Sequence, residues 1–216
     1  MCFGFYERTP QLLKKSERIG LEVSQWQARG LIDFVWQPPV EGVIDVLAQR
    51  LLQTVERLKA RRLFLDGIQG FEVAAEFPER IRDAFSALVD ELERRGVTTL
   101  YTVETRDLFG PNIVVPLFGI SATTQNIVLL RHVELHAQLF RMISILKLRD
   151  SNYDSTIREF RITDRGISVA DTFNAANHVL TGTAMPNGND AHAPPRKKAS
   201  KQRTKARPLG RKRKKK

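Results

Sequence analysis

Apolar positions follow two alternating rhythms along this chain. Short apolar runs occur at 1–6 (MCFGFY), 31–36 (LIDFVW), 63–65 (LFL) and 97–104 (VTTLYTVE). Runs of this length predict strands covered on both faces. Between them the period lengthens. From Gly42 to Ala60 apolar residues stand at Val43, Leu47, Leu51, Val55 and Leu58, a spacing that puts them on one helical face. Pro78 opens another helix, with Ile81, Phe85, Leu88 and Leu92 turned inward. Arg94 and Arg95 complement the dipole in its last turn, and Gly96 stops it. Thr9-Pro10 opens a third helix that runs to about Ile19, with Gly20 beyond it. Strand and helix in alternation predict a mainly parallel sheet with helices on both faces.

After Gly119 the texture changes. The stretches 126–135 (NIVLLRHVEL), 139–149 (LFRMISILKLR) and 157–164 (IREFRITD) leave no room for crossover helices, so antiparallel strands joined by short turns are predicted. Asp164-Arg165-Gly166 reads as a turn. Beyond Phe173 aromatic residues cease, and from about Thr183 the chain has too little apolar surface to repay ordering. The expected organisation is a body over 1–173, a linker over 174–195 and a disordered basic tail over 196–216.

The tail changes the meaning of the charge. Net charge is +11, but thirteen of the 35 Lys and Arg residues lie in 196–216 (RKKASKQRTKARPLGRKRKKK), which has no acid. The other 22 stand against 24 acids, so the body carries about −2. Such a tail would attract nucleic acid, an acidic protein or an anionic membrane, and nucleic acid through counterion release. Lacking aromatics to stack on bases, it would do so in a salt-sensitive, sequence-independent way. Cys2 is the sole cysteine among 216 residues, which excludes an intramolecular disulfide and a cysteine-based metal cluster. A reducing cytoplasm is the expected location. The first residues lack a secretory pattern, and no apolar run reaches membrane-spanning length.

Chemistry concentrates at a few positions. The stretch RRLFLDGIQGF (61–71) delivers Asp66 to the end of a buried run, where open α/β sheets place their chemistry; a turn aspartate is the plainer reading. Glu7 stands just after the first strand, suited to a general base or to the start of the next helix. Thr105 follows the fourth strand, where turn threonines are common. In ILKLRD (145–150), alternation puts Ile145, Lys147 and Arg149 on one face, against Leu146 and Leu148.

Taken in order, these segments resemble the KaiC family, the RecA-like ATPases named for the circadian clock protein. FGFYERTPQ resembles the family's second strand and RRLFLDGIQGF its Walker B strand. NIVLLRHVE, ILKLR and IREFRITDRGI resemble its C-terminal run. The resemblance covers Met1 to about Phe173 and implies a RecA-like three-layer α/β sandwich, mainly parallel with C-terminal antiparallel strands. It begins at the second strand, and no stretch fits G-x-x-x-x-G-K-[ST], so the N-terminal strand and the phosphate-binding loop are expected to be missing. A sheet intact from its second strand, with an open edge where the first would pair, follows.

The resemblance also assigns roles. Asp66 would be the Walker B carboxylate that orients the magnesium water shell, and Glu7 the water-polarising acid, with Arg8 at the place of a second glutamate. Thr105 would sense the terminal phosphate. Lys147 and Arg149 would reach a neighbour's nucleotide across a subunit interface, although Asp150 replaces the usual glycine after them. Ser121 matches a phosphorylatable position, but Ala122 takes the adjacent one, so clock-type autophosphorylation is not expected. ATP and Mg2+ are the implied cofactors, and a homo-oligomer or an intact KaiC-like homologue the implied partner. Phosphates need backbone amides and a lysine around them, so self-contained ATP hydrolysis is not expected. The alternatives are an assembly partner supplying Lys147 and Arg149 to an intact relative, a nucleic-acid adaptor acting through 196–216, and a gene fragment.

Overall fold

The computed structural model describes residues 1–38, 43–105, 120–135 and 137–170. Its first half runs β1 (Cys2–Gly4), α1 (Thr9–Arg18), α2 (Val23–Ala28), β2 (Phe34–Trp36), α3 (Ile44–Arg57), β3 (Arg62–Asp66), α4 (Gln69–Val73), α5 (Ile81–Arg94) and β4 (Thr98–Tyr101). The second half adds α6 (Ile120–Thr123) and β5 (Asn126–Leu135), β6 (Gln138–Leu148), β7 (Arg158–Thr163) and β8 (Gly166–Val169). Strands β2-β1-β3-β4 form a parallel sheet, and β5-β6-β7-β8 an antiparallel one. The α/β class and the switch from parallel to antiparallel pairing are both present.

Strands β1, β2 and β4 are shorter than the apolar runs that predict them, while β3 extends one residue past its run at each end. Pairing sets the limit: β1 and β2 share only Cys2↔Phe34, Phe3↔Val35 and Gly4↔Trp36. Phe5 lies beyond the ladder yet stays buried, its N–H donating to the Asp66 carbonyl at 3.1 Å. The α3 face also needs correcting. Its buried residues are Ile44, Leu47, Leu51 and Val55, while Val43 is the extended N-cap and 46% exposed. The helix starts one residue later than the four-residue spacing suggests, so Ile44 takes the inward place. In α5 the inward set is Ile81, Phe85, Leu88 and Leu92, as the spacing predicts, after a 3₁₀ turn at Pro78–Arg80. Helices α2 and α4, of six and five residues, are too short to show a period.

Register assigns residues to the two faces of the parallel sheet. Val35, Phe3, Leu65 and Tyr101 form one row, with Leu63 and Thr99 beside them. This face packs under α3 and α5. Edge-to-face aromatic contacts continue through the core from Phe3 to Phe5, Phe71, Phe85 and Tyr101, with ring centroids 5.2–6.3 Å apart, a geometry that adds to area burial. Gly70 is needed there, because a Cβ on it would meet the Phe5 ring at 2.2 Å.

The antiparallel sheet has a smaller core, Val133 and Met142 with Phe140 and Ile157 against them. Ile127 pairs with Lys147 and Val128 with Ile145, which leaves Leu146 as the extra residue of a β-bulge. The turn predicted at 164–166 joins β7 to β8, a strand that the sequence pattern does not announce. That turn meets the end of α1. Gly20, at φ 74°, would carry a Cβ 2.4 Å from the Asp164 carbonyl oxygen, so only glycine fits. Residues 174–216, the predicted linker and basic tail, lie outside the described residues. Among the described residues no helix is long and apolar enough to cross a membrane.

Candidate functional site

The register of β3 with β4 builds the candidate site. Leu65 pairs with Tyr101, so the next residues, Asp66 and Thr102, stand side by side at the carboxyl end of the sheet. Thr102 Oγ1 donates to Asp66 Oδ1 at 2.7 Å. The backbone holds this junction from both sides: Thr102 N–H donates to the Leu65 carbonyl at 3.1 Å, and Ile68 N–H to the Thr102 carbonyl at 3.0 Å. Just beyond, Gln69 Nε2 donates to the Glu104 carbonyl at 3.2 Å. The Asp66–Gly67 peptide is cis.

This end of the sheet is acidic. Burial and then Glu104, Glu72 and Asp66 push the Tyr6 hydroxyl above its ordinary value. On the same sheet, Cys2 is pushed up to about 11, by burial first and Asp66 second. A raised thiol pKa means an inert thiol, which removes Cys2 as a nucleophile. Oxygen donors of this kind suit a hard cation such as Mg2+, which takes one or two carboxylates and keeps its waters. Asp66 fits that role. The described residues hold no cluster of three or more His, Cys, Asp or Glu that could form a complete protein cage, so any such ion would depend on water and phosphate for its other ligands.

The remaining predicted residues are placed differently. Glu7 forms an ion pair with Lys15 of α1, and Arg8 stacks over Trp36 at 4.8 Å. Lys147 Nζ donates to the carbonyls of Ser121 and Thr124, the latter at 2.8 Å, and Arg149 Nη2 to that of Ala122 at 3.2 Å. Both cations therefore lie on one side of β6, as alternation predicts, and tie down the 121–124 turn. Cations favour carbonyls at a helix C-terminus, and α6 ends there. Thr124 also meets the Tyr101 hydroxyl, which links this turn to the end of β4. Thr105 is half-buried, three residues past Thr102. The structure thus brings Asp66 and Thr102 together, gives Glu7 a lysine partner, and holds Lys147 and Arg149 on backbone oxygens.

Thr102 was missed because the strand was expected to run to Glu104. With β4 ending at Tyr101, Thr102 is the first residue beyond the ladder and the direct neighbour of Asp66.

The order of these elements, with an acid ending β3 in a parallel sheet and antiparallel strands after it, can be set beside known proteins. The model of the KaiC ATPase family matches residues 3–173. The chain belongs to the KaiC family of ATPases. It is 26% identical over 185 residues to the circadian clock protein KaiC3 of Synechocystis sp., covering 86% of this chain and 36% of that protein. To the circadian clock oscillator protein KaiC of Parathermosynechococcus lividus it is 23% identical over 183 residues, covering 85% and 34%. For the protein of that name in Thermosynechococcus vestitus the identity is 24% over 183 residues, with 85% and 35% covered. The chain thus spans about a third of the length of these KaiC relatives.

Proposed function

We propose that this chain forms the magnesium-facing half of the nucleotide site of a KaiC-like, RecA-type ATPase domain. The observation that carries this reading is the Asp66–Thr102 pair at the carboxyl end of β3, in a sequence without G-x-x-x-x-G-K-[ST]. Asp66 is the Walker B carboxylate in this reading. It would hold a hydrated magnesium ion, and the ion would supply charge neutralisation for phosphate oxygens. Thr102 orients the carboxylate by donating to Oδ1, which leaves Oδ2 as the freer oxygen. The amide cradle and lysine that fix β- and γ-phosphates have no counterpart in the sequence. ATP hydrolysis by the chain alone is therefore not supported.

A general base needs a carboxylate within reach of the attacking water. Glu7 meets that requirement only after parting from Lys15, which keeps it a reserve candidate. Lys147 and Arg149 could serve a neighbouring subunit, in a homo-oligomer or beside an intact homologue, by releasing the 121–124 carbonyls.

Mn2+ is a paramagnetic substitute for magnesium and reports on the site directly. Titrating it should broaden the NMR signals of Thr102 and Gly67 at millimolar concentration, and Asp66→Asn should abolish the effect. Phosphate release from Mg-ATP by the chain alone should stay at background. Robust turnover that is lost in Asp66→Asn would overturn the reading, because the phosphates would then be held without the loop.

A further inference from the structure

The ends of three strands converge on one residue. The Asp66 carbonyl accepts the Phe5 N–H, just past β1, at 3.1 Å. On the other side Thr102 grips the chain around Asp66 at three points. Its N–H donates to the Leu65 carbonyl at 3.1 Å, its carbonyl accepts the Ile68 N–H at 3.0 Å, and its hydroxyl donates to Asp66 Oδ1 at 2.7 Å. Two of these bonds fix the Thr102 backbone against positions 65 and 68, so the hydroxyl has little freedom to point elsewhere. Asp66 accepts no other side-chain hydrogen bond among the described residues. Both residues are half-buried, which leaves the carboxylate reachable while its orientation is set.

Gly67 belongs to the same clamp because it has no side chain. A Cβ there would lie 2.9 Å from Thr102 Oγ1 and 3.2 Å from the Thr102 carbonyl oxygen. The backbone oxygen is held by Ile68, so the hydroxyl would have to turn away from Asp66. A carboxylate free to rotate can give a cation one oxygen or both. Ca2+ accepts either mode and gathers many oxygens in a flexible shell, whereas Mg2+ keeps several waters and binds through one or two carboxylates. Discrimination between the two ions rests on the number and rigidity of the oxygens offered. Charge does not supply it: Glu72 and Glu104, which act with Asp66 on the Tyr6 hydroxyl, draw both ions alike.

We propose that Thr102 is a specificity-determining positioning residue: by holding Oδ1 it leaves Asp66 a single oxygen, Oδ2, and so makes the site select Mg2+ over Ca2+. To give Ca2+ both oxygens, the carboxylate would have to turn Oδ1 off the Thr102 hydroxyl. That forfeits a hydrogen bond to a charged group, worth about tenfold in affinity. Mg2+ loses nothing by the clamp, since one oxygen facing its water shell is enough. Gly67 acts one step further out, by keeping the hydroxyl where it is. This inference rests on the reading of Asp66 as the magnesium carboxylate. It adds which divalent ion the chain itself accepts and which residue decides.

The test uses the full chain without nucleotide. Mn2+ broadens the NMR signal of the Ile68 amide, and Mg2+ or Ca2+, both diamagnetic, restores it by competition. In the wild type Mg2+ should restore the signal at a lower concentration than Ca2+. Thr102→Val removes the hydroxyl and keeps the shape; it should cut that advantage by about tenfold, chiefly through tighter Ca2+ binding. Thr102→Ser retains the hydroxyl and should retain the advantage. Gly67→Ala, which crowds the hydroxyl and alters neither partner, should shift the ratio in the same direction as Thr102→Val. A merely structural role would weaken both ions together and leave their ratio where it was. An equal ratio in the wild type and Thr102→Val, or a wild-type preference for Ca2+, overturns this inference, while broadening that disappears in Asp66→Asn would still uphold the magnesium reading. No broadening at Ile68 in the wild type overturns both.

Discussion

The parallel and antiparallel sheets solve the problem of burial in different ways. Among the described residues, the parallel sheet rests on a core of sixteen buried residues, fed by α3 and α5 and threaded by aromatic rings. The antiparallel sheet centres on Val133 and Met142, with exposed Val128, Leu130 and Leu139 on its strands. Its ladder is long instead: β5 and β6 pair from Asn126↔Leu148 to Leu135↔Gln138. A long antiparallel ladder draws much of its stability from cross-strand pairs, whereas parallel strands of three to five residues depend more heavily on a core. Stability should therefore follow side-chain volume in the first region and pairing more than volume in the second.

Truncations should separate the two regimes. Phe85→Ala removes a ring that joins Phe71 to Tyr101 and should cost about 3–5 kcal/mol, a large share of the roughly 5–15 kcal/mol that holds a domain of ordinary stability. Met142→Ala, in the smaller cluster, should cost about 2 kcal/mol. Chemical denaturation of both variants checks the order. A larger loss at Met142 would mean that the antiparallel sheet, and not the aromatic core, limits the fold.

How far the sequence announced this arrangement depends on the length of each signal. The inward face of α5 was fully readable because four residues at helical spacing sit between a proline and a glycine. On α3 the same signal ran one residue too far at Val43, since periodicity does not locate an N-cap. Helices α2 and α4 span less than two turns, and β8 holds only four residues, so none carries a readable period. In the candidate site, Asp66 was visible as the acid ending an apolar run. Thr102 was not, because its partnership depends on the β3–β4 register, a relation between residues 36 apart. The pairing of Glu7 with Lys15 was hidden as well, because it joins the loop after β1 to a residue of α1 eight positions on.

Between the two sheets lies the 121–124 turn, and it gives a third, smaller effect. Replacing Lys147 by Met removes two charge-assisted bonds to the carbonyls of Ser121 and Thr124. The position is half-buried, so a loss of about 1–2 kcal/mol is expected, with faster amide exchange confined to 121–125. If exchange quickens in the aromatic core as well, the turn couples the sheets and the two regions are not energetically separate.

The smallest effect comes from Cys2, on the face of the parallel sheet away from α3 and α5. Its thiol is raised from 9.0 to about 11, chiefly by burial. A folded-state pKa above the unfolded value contributes stability that is complete below pH 9 and is lost as pH rises toward 11, because only the unfolded chain ionises freely in that window. At pH 10 the loss should be about 1 kcal/mol. It is measured as the difference between the wild type and Cys2→Ala, which cancels the titration of tyrosines and lysines. The same burial should make Cys2 slow to alkylate at pH 8 in the folded chain and fast in denaturant. Parallel pH profiles for the two proteins, together with rapid alkylation of the folded one, would show that solvent reaches the centre of that face. That face, on which Phe34, Cys2, Phe64 and Leu100 stand in register, would then be wetter than the burial of Cys2 implies.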